Sequence, residues 1–191
     1  MKQIGGRYLE RSELSDLGFK QVGRNARVHS SAHIYGLENI QLGENSRIDD
    51  FALIVATGDL VVGRNVSIHS HCFVGAKFGV KIGNFATIAP GVKVFSSSDD
   101  YSGEFMTGPT VPTTFVGGNK GEVVIGEHVI IGAGSVILPG VTISDGVSVG
   151  SLSLVKDNLA EWSIYAGVPC RFLKHRDQHL LQLARKLIES E

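Results

Sequence analysis

The chain has 191 residues, a formal net charge of −1 and only two cysteines. Hydrophobic residues make up 42% and charged residues 19%, which suits one domain with a sizeable core and argues against a nucleic-acid groove or a charged membrane-binding patch. The cysteines form no disulfide framework, and no apolar segment has the character of a signal peptide or a membrane span. We therefore expect a soluble cytoplasmic protein.

Residues 1–21 predict a short helical cap ahead of a repeat. Ser12 is a suitable N-cap residue, and Gly18 is a suitable stop for the helix between them. We expect this helix to pack on the open end of the structure that the following residues form.

Residues 22–174 contain a repeat of six residues. The repeat starts at residues 22, 42, 62 and 82, which stand twenty apart, and it resumes without interruption after residue 124. A small or aliphatic residue often stands two places before each marked position, and glycine often stands one place after it. This pattern predicts a short strand followed by a corner, so three units close a coil and stacked coils bury one apolar column. The marked residues are Val22, Val28, Ile34, Leu42, Ile48, Ile54, Val62, Ile68, Val74, Ile82, Ile88, Val94, Ile125, Ile131, Ile137, Ile143, Val149 and Val155.

Two histidines follow the second strand of the third predicted coil. His69 and His71 stand there, and the equivalent strand of the next coil comes one period later, just before a long loop. Histidine accepts and returns protons near neutral pH, so we take His71 as a candidate catalytic base and His69 as a candidate substrate contact. The plainer interpretation is that both are solvated surface residues.

Residues 95–124 break the period and form a loop within the repeat. A loop of this length in a compact domain is usually functional. Its first part is rich in polar residues, from which we take Asp99 as a candidate catalytic group and Asp100, Tyr101 and Glu104 as candidate substrate contacts. Ordinary turn chemistry is the alternative explanation for this run of serines and aspartates.

The last segment, residues 175–191, predicts a terminal helix because its apolar residues recur at helical spacing. They are Leu180, Leu181, Ala184, Leu187 and Ile188.

The repeat, the loop at 95–124 and the closing run 125–134 resemble the galactoside, maltose and xenobiotic acetyltransferases. The tail segments 155–157 and 164–171 are similar to that family too. Residues 98–103 look closer to relatives that modify sugars for bacterial surface polysaccharides. The resemblance implies an all-β, left-handed parallel β-helix of hexapeptide repeats. It also implies a homotrimer that binds acetyl-CoA between subunits.

Residue roles follow from the same resemblance. Ala133 and Ser151 fall where the family lines the pantetheine arm of the donor, and Lys156 and Arg171 fall where it meets the phosphates, which favour such side chains. The family has a histidine base shortly after the last strand before the loop, and counting puts Asp99 at that place. One of these aspartates or histidines therefore acts instead, or the reaction needs no strong base.

We expect acetyl transfer to a sugar. The favoured reaction is N-acetylation of a nucleotide-linked amino sugar for surface polysaccharide, because a neutral amine attacks without a strong base. O-acetylation of a sugar hydroxyl is the alternative. Two other classes stay open, a zinc hydratase like the gamma-type carbonic anhydrases and a catalytically silent scaffold. The hydratase needs a third histidine ligand that the sequence does not obviously supply, so we expect no metal.

Overall fold

A computed structural model describes residues 5–190 and contains a left-handed parallel β-helix with three faces. The first sheet contains β1 (Gln21–Val22), β4 (Ile40–Leu42), β7 (Leu60–Val62), β10 (Val80–Ile82), β13 (Val123–Ile125) and β16 (Thr142–Ile143). The second contains β2 (Arg27–Val28), β5 (Arg47–Ile48), β8 (Ser67–Ile68), β11 (Thr87–Ile88), β14 (Ile130–Ile131), β17 (Ser148–Val149), β19 (Ser163–Ala166) and β20 (Arg171–His175). The third contains β3 (His33–Tyr35), β6 (Leu53–Val55), β9 (Phe73–Gly75), β12 (Lys93–Phe95), β15 (Val136–Ile137) and β18 (Leu154–Val155). The predicted fold class is confirmed.

The apolar column runs through the middle of the three sheets. Strand pairing aligns Ile68 with Ile88, Ile88 with Ile131, and Ile131 with Val149, so each marked residue stacks on its counterpart in the next coil. All the marked residues are buried except Val22 and Ile34, which are partly buried at the first coil. Burial of a side chain of this size contributes about 1.5–3 kcal/mol, so the column is the main source of stability.

We call the corner between the second and third sheets corner 2, and the corner between the third and first sheets corner 3. The first three coils carry two extra residues at corner 3, since eight residues separate Ile54 from Val62 but only six separate Ile137 from Ile143. Residues 96–122, between β12 and β13, also leave from corner 3. The long loop is thus an enlarged form of a corner that is already longer than the others. It contains a single 3-10 turn, Thr113–Phe115, and a second one, Leu37–Asn39, lies at the same corner of the first coil.

The glycines that follow the marked residues do not make the sharp bends that their position suggested. Gly43 has no left-handed φ; a Cβ at this residue would overlap the backbone of Gly63 in the next coil. Close stacking of coils therefore excludes a side chain there. The left-handed turn itself is made by other residues, including Asn25, Asn45 and Asn65 with φ of 58°, 56° and 55°. Asparagine tolerates that conformation better than most residues, which explains its recurrence.

The N-terminal helix α1 spans Arg11–Asp16 and buries Leu14 against the first coil. The prediction that Ser12 is its N-cap was wrong, because the cap is Glu10. The Glu10 amide donates a hydrogen bond of 2.7 Å to the Glu13 carboxylate, and the helix begins at Arg11, two residues earlier than predicted. Gly18, with φ of 87°, follows the helix end.

The C-terminal part adds two elements to the column. Strand β20 pairs antiparallel with β19 at the end of the second sheet, a hairpin that the repeat did not predict. Helix α2 spans Leu180–Glu189 and has no buried residue. No helix in the described part of the chain is long and apolar enough to cross a membrane.

Candidate active site

A cavity of about 670 Å³ lies between the long loop and the outer face of the third sheet. The root of the loop is closed by two hydrogen bonds, from the Ser98 amide to the Asn119 carbonyl at 2.9 Å and from the Gly121 amide to the Ser96 carbonyl at 3.0 Å. The two ends of the loop are therefore held together beside the cavity. The sheet supplies Phe95, Val136, Leu138 and Leu154 to its lining, and the loop and corner 3 supply Lys77, Phe78, Ser97, Ser98, Asp99, Tyr101, Thr113, Val116, Gly117, Asn119 and Lys120.

The two neighbouring aspartates of the loop have different tasks. The Asp100 carboxylate accepts hydrogen bonds from the Ser102 hydroxyl and the Gly103 amide, both at 2.8 Å, and from the Phe105 amide at 3.3 Å. The Ser102 hydrogen bond, with the backbone bonds, lowers the pKa of Asp100. Asp99 is exposed in the cavity lining and receives only a long contact of 3.5 Å from the Gly108 amide. Asp99 is thus available to a ligand, whereas Asp100 holds the loop.

Two lysines and a phenylalanine form one wall of the cavity. The Lys77 and Lys120 ammonium groups each lie 5.7 Å from the centre of the Phe78 ring, which favours their charge at that position. The only charged side chain among the other lining residues is Asp99, so the lining carries a net positive charge. Such a wall suits a group with more than one negative charge, such as a diphosphate. Tyr101, 91% exposed, also lines this cavity, whereas Glu104 does not.

His69 belongs to a separate polar cluster at corner 2. Its Nδ1 lies 3.1 Å from the Asp49 carboxylate, which also accepts a hydrogen bond of 2.8 Å from the Tyr8 hydroxyl. The Arg47 guanidinium pairs with the same carboxylate at 3.2 Å. His71 stands two residues further on with φ of 59°, and its ring stacks on Phe51 at 5.2 Å between centres.

The candidate residues fall into two groups on opposite edges of the third sheet. His69 and His71 precede strand β9, at the edge where its strands begin, while Asp99 follows strand β12, beyond the edge where they end. Within one chain, His69 and His71 therefore lie away from the root of the loop, although the strand equivalent to theirs in the next coil comes just before it. Pairing also puts Ala133 and Ser151 at corner 2, in line with the histidines.

The two basic candidates lie outside the cavity lining. Lys156 follows β18 and pairs with Asp157 at 3.2 Å, and Arg171 begins β20. Lys156 belongs to the same coil as Leu154 of the cavity lining, at the C-terminal end of the column, and Arg171 lies beyond that coil in the β19–β20 hairpin.

Sequence reasoning missed Lys77, Lys120, Arg47 and Asp49. Lys77 lies in the two-residue extension of corner 3, and Lys120 lies in the part of the loop with no polar pattern. Asp49 carried a usable signal, because it stands one twenty-residue period before His69 and therefore stacks directly beside it.

Comparisons with known proteins give a consistent picture. The family description "Bacterial transferase hexapeptide (six repeats)" matches residues 122–157. The dTDP-4-amino-4,6-dideoxy-D-glucose acyltransferase of Escherichia coli is 37% identical over 182 residues, which are 92% of each chain. The N-acyltransferase AntD of Bacillus cereus, solved as a variant with dTDP-4-amino-4,6-dideoxyglucose and coenzyme A, is 36% identical, with a TM-score of 0.93 over 96% of this chain and 98% of that one. AntD has also been solved with dTDP and 3-hydroxybutyryl-CoA, where the TM-score is 0.92 over 96% of this chain and 97% of that one, at 36% identity.

Proposed function

Because this chain belongs to the bacterial hexapeptide-repeat acyltransferases, we propose that it transfers an acyl group from coenzyme A to the amine of a nucleotide-linked amino sugar. The observation that carries the proposal is the near full-length likeness to enzymes whose acceptor is a dTDP-linked 4-amino-4,6-dideoxy sugar. N-acylation, the favoured expectation from the sequence, agrees with those relatives.

The loop cavity supplies the chemistry that such an acceptor needs. We assign Asp99 to the sugar amine, whose N–H groups a carboxylate accepts, and Tyr101 to the sugar or base. Lys77 and Lys120 would hold the diphosphate against the positive wall beside Phe78. Asp100 acts indirectly, because its hydrogen bonds fix the segment on which Asp99 stands. Glu104 keeps only a peripheral role in acceptor binding.

The donor is assigned to corner 2. Ala133 and Ser151 are small side chains there that leave room for a pantetheine arm, and Lys156 and Arg171 supply charge for the phosphates at the C-terminal end. Acetyl-CoA is the simplest donor. A longer acyl group is the alternative, since AntD was solved with 3-hydroxybutyryl-CoA.

We infer a homotrimer from the separation of these two groups. Donor residues at corner 2 and acceptor residues beyond corner 3 lie on opposite edges of the third sheet in one chain, whereas the corner 2 of one copy can lie beside the loop of another. The loop also exposes Phe105, Met106 and Phe115, which are 46%, 56% and 59% exposed. Exposed apolar groups of this kind are typical of protein contacts. Light scattering of the active enzyme should give three times the chain mass, and a monomer would contradict the shared site.

The reaction is direct transfer. The amine nitrogen attacks the thioester carbonyl carbon, the C–S bond then breaks, and the proton lost by nitrogen ends on the coenzyme A sulfur. For an amine acceptor, substitution of His71 should cost little, because its ring stacks on Phe51 and is not needed to make the amine a nucleophile. For a hydroxyl acceptor, His71 would be the base and its loss should reduce kcat by about 10²–10⁴-fold.

The proposal is tested by initial rates of coenzyme A release with acetyl-CoA and three acceptors. These are dTDP-4-amino-4,6-dideoxyglucose, the matching dTDP sugar with a 4-hydroxyl, and the free amino sugar. We expect turnover with the first alone at micromolar concentrations. Asp99→Asn should reduce kcat/KM by about 10–10²-fold, while Asp100→Asn serves as the control for loop order. Equal rates with the hydroxyl sugar would contradict N-acylation.

A further inference from the structure

The polar cluster at corner 2 is built around a buried carboxylate. Asp49 is only 8% exposed; it accepts a hydrogen bond from the Tyr8 hydroxyl at 2.8 Å, and His69 Nδ1 lies 3.1 Å from the same carboxylate. Arg47 supplies a positive charge at 3.2 Å. A buried carboxylate needs such partners, and here they come from three different coils or segments of the chain. The arrangement fixes the position of the carboxylate, and the carboxylate fixes the imidazole.

The contact with Asp49 sets which nitrogen of His69 carries the proton. A carboxylate accepts and does not donate, so Nδ1 of His69 must be the protonated nitrogen. The longer contact of 3.4 Å between Nδ1 and the Arg47 guanidinium cannot be a hydrogen bond in that state, because both atoms carry hydrogen. In the neutral imidazole, Nε2 is then the nitrogen that can accept a proton. This imidazole–carboxylate pair has the form that enzymes use to position a general base.

The cluster lies in line with the proposed donor. Along corner 2, strand pairing aligns Gly150, Gly132, Ala89, His69 and Asp49 from the C-terminal end, and Ser151 and Ala133 each stand one residue after the first two of these. Neighbouring coils are about 4.8 Å apart, so His69 lies two coils, or roughly 10 Å, beyond Ala133. A pantetheine arm that passes Ser151 and Ala133 points its thioester toward Ala89 and His69.

We propose that His69 is a catalytic base of the acyl transfer and that Asp49 is its positioning residue. The inference rests on the proposed function. As the sugar nitrogen bonds to the thioester carbonyl carbon, Nε2 of His69 takes a proton from that nitrogen. The imidazolium, stabilised by Asp49, then gives the proton to the coenzyme A sulfur as the C–S bond breaks. Asp99 of a neighbouring copy holds the amine during both steps.

The test compares four variants of the full-length enzyme with acetyl-CoA and dTDP-4-amino-4,6-dideoxyglucose. His69→Gly should lower kcat by about 10²-fold with little change in either KM, and added imidazole should restore much of the loss. Asp49→Asn should lower kcat about tenfold. Tyr8→Phe removes another bond to the same carboxylate but leaves the pair intact, so kcat should stay within about twofold. His33→Gly is the matched histidine control on an exposed strand position.

The outcomes separate this inference from the function on which it rests. If the unaltered enzyme shows no turnover with any amino sugar, the proposed function fails. If it turns over but His69→Gly keeps normal kcat, only the role of His69 is overturned. A loss in His69→Gly that imidazole does not restore, together with an equal loss in Tyr8→Phe, would show a purely structural cluster and also overturn the proposal.

Discussion

Substitution of Gly118 should damage catalysis with little effect on the fold. Gly118 has φ of 131°, and a Cβ there would overlap the Ser98 carbonyl oxygen and lie 2.8 Å from the Asp99 carbonyl carbon. The backbone conformation alone costs about 1–3 kcal/mol for a residue with a side chain. The overlapped atoms are backbone, so no rotamer change relieves them. The segment that carries Asp99 must therefore move by on the order of 1 Å, a displacement that can cost about 10²-fold in rate.

The assay for Gly118→Ala is kcat/KM for the nucleotide amino sugar, measured together with thermal unfolding. We expect kcat/KM to fall about 10–10²-fold while Tm falls by about 2–12 °C, since about 1 kcal/mol corresponds to about 2–4 °C in a chain of this size, and the apolar column itself stays intact. Gly103→Ala is the matched control, since Gly103 also has a left-handed φ, 86°, but an added Cβ there meets nothing within 4 Å. Normal kcat/KM in Gly118→Ala, or equal losses in both variants, would refute the link between Gly118 and the position of Asp99.

Three further predictions follow from the structure. Lys156→Ala or Arg171→Ala should raise KM for acetyl-CoA about two- to tenfold with kcat nearly unchanged, because exposed charge contacts are worth about 0.5–1.5 kcal/mol. If steady-state kinetics give an unchanged KM for both variants, neither residue belongs to the donor site. Ile88→Ala should lower the free energy of unfolding by about 2–5 kcal/mol in urea titrations, since Ile88 is fully buried in the column, and a loss under 1 kcal/mol would contradict that packing. Burial raises the pKa of Cys72 to about 11, so about one thiol in a thousand is ionised at pH 8. Alkylation of Cys72 should therefore be slow in the native protein and fast in urea. Rapid alkylation of the native protein would contradict this burial.

The fold could be predicted because its information is local and periodic. Each marked residue of the six-residue pattern faces inward for the same reason, so the burial predicted for Ile68 is predicted in the same way for Ile88 and Ile131. The terminal additions had no such support. The N-cap at Glu10 depends on a hydrogen bond from its amide to the Glu13 carboxylate. The β19–β20 hairpin lies outside the repeat, so the six-residue pattern does not predict it.

The site was harder to predict because it depends on contacts that the period does not describe. The sequence indicated both loop aspartates as site residues, and only the hydrogen bonds of Asp100 show that it stabilises the loop instead. Lys77 and Lys120 are more than forty residues apart and meet only because the loop returns to corner 3 beside Phe78. Even a complete view of one chain leaves His69 and Asp99 on opposite edges of a sheet.

The reaction of the relatives favours one of the functions that the sequence alone left open. The sugar hydroxyl, the zinc hydratase and the silent scaffold were all compatible with a hexapeptide column, because the column is a scaffold on which different sites can be built. Full-length likeness to N-acyltransferases of a dTDP-linked amino sugar supports acyl transfer to nitrogen over each of them.

The most direct test of this account is the identity of the bond that the enzyme makes. The protein is incubated with acetyl-CoA labelled with ¹³C at the carbonyl and with dTDP-4-amino-4,6-dideoxyglucose, and the purified product is examined by NMR. We predict that the label appears as an amide carbonyl coupled to the proton on the C4 nitrogen of the sugar. A label found in an ester of a sugar hydroxyl, or left in acetyl-CoA after prolonged incubation with active enzyme, would contradict the account.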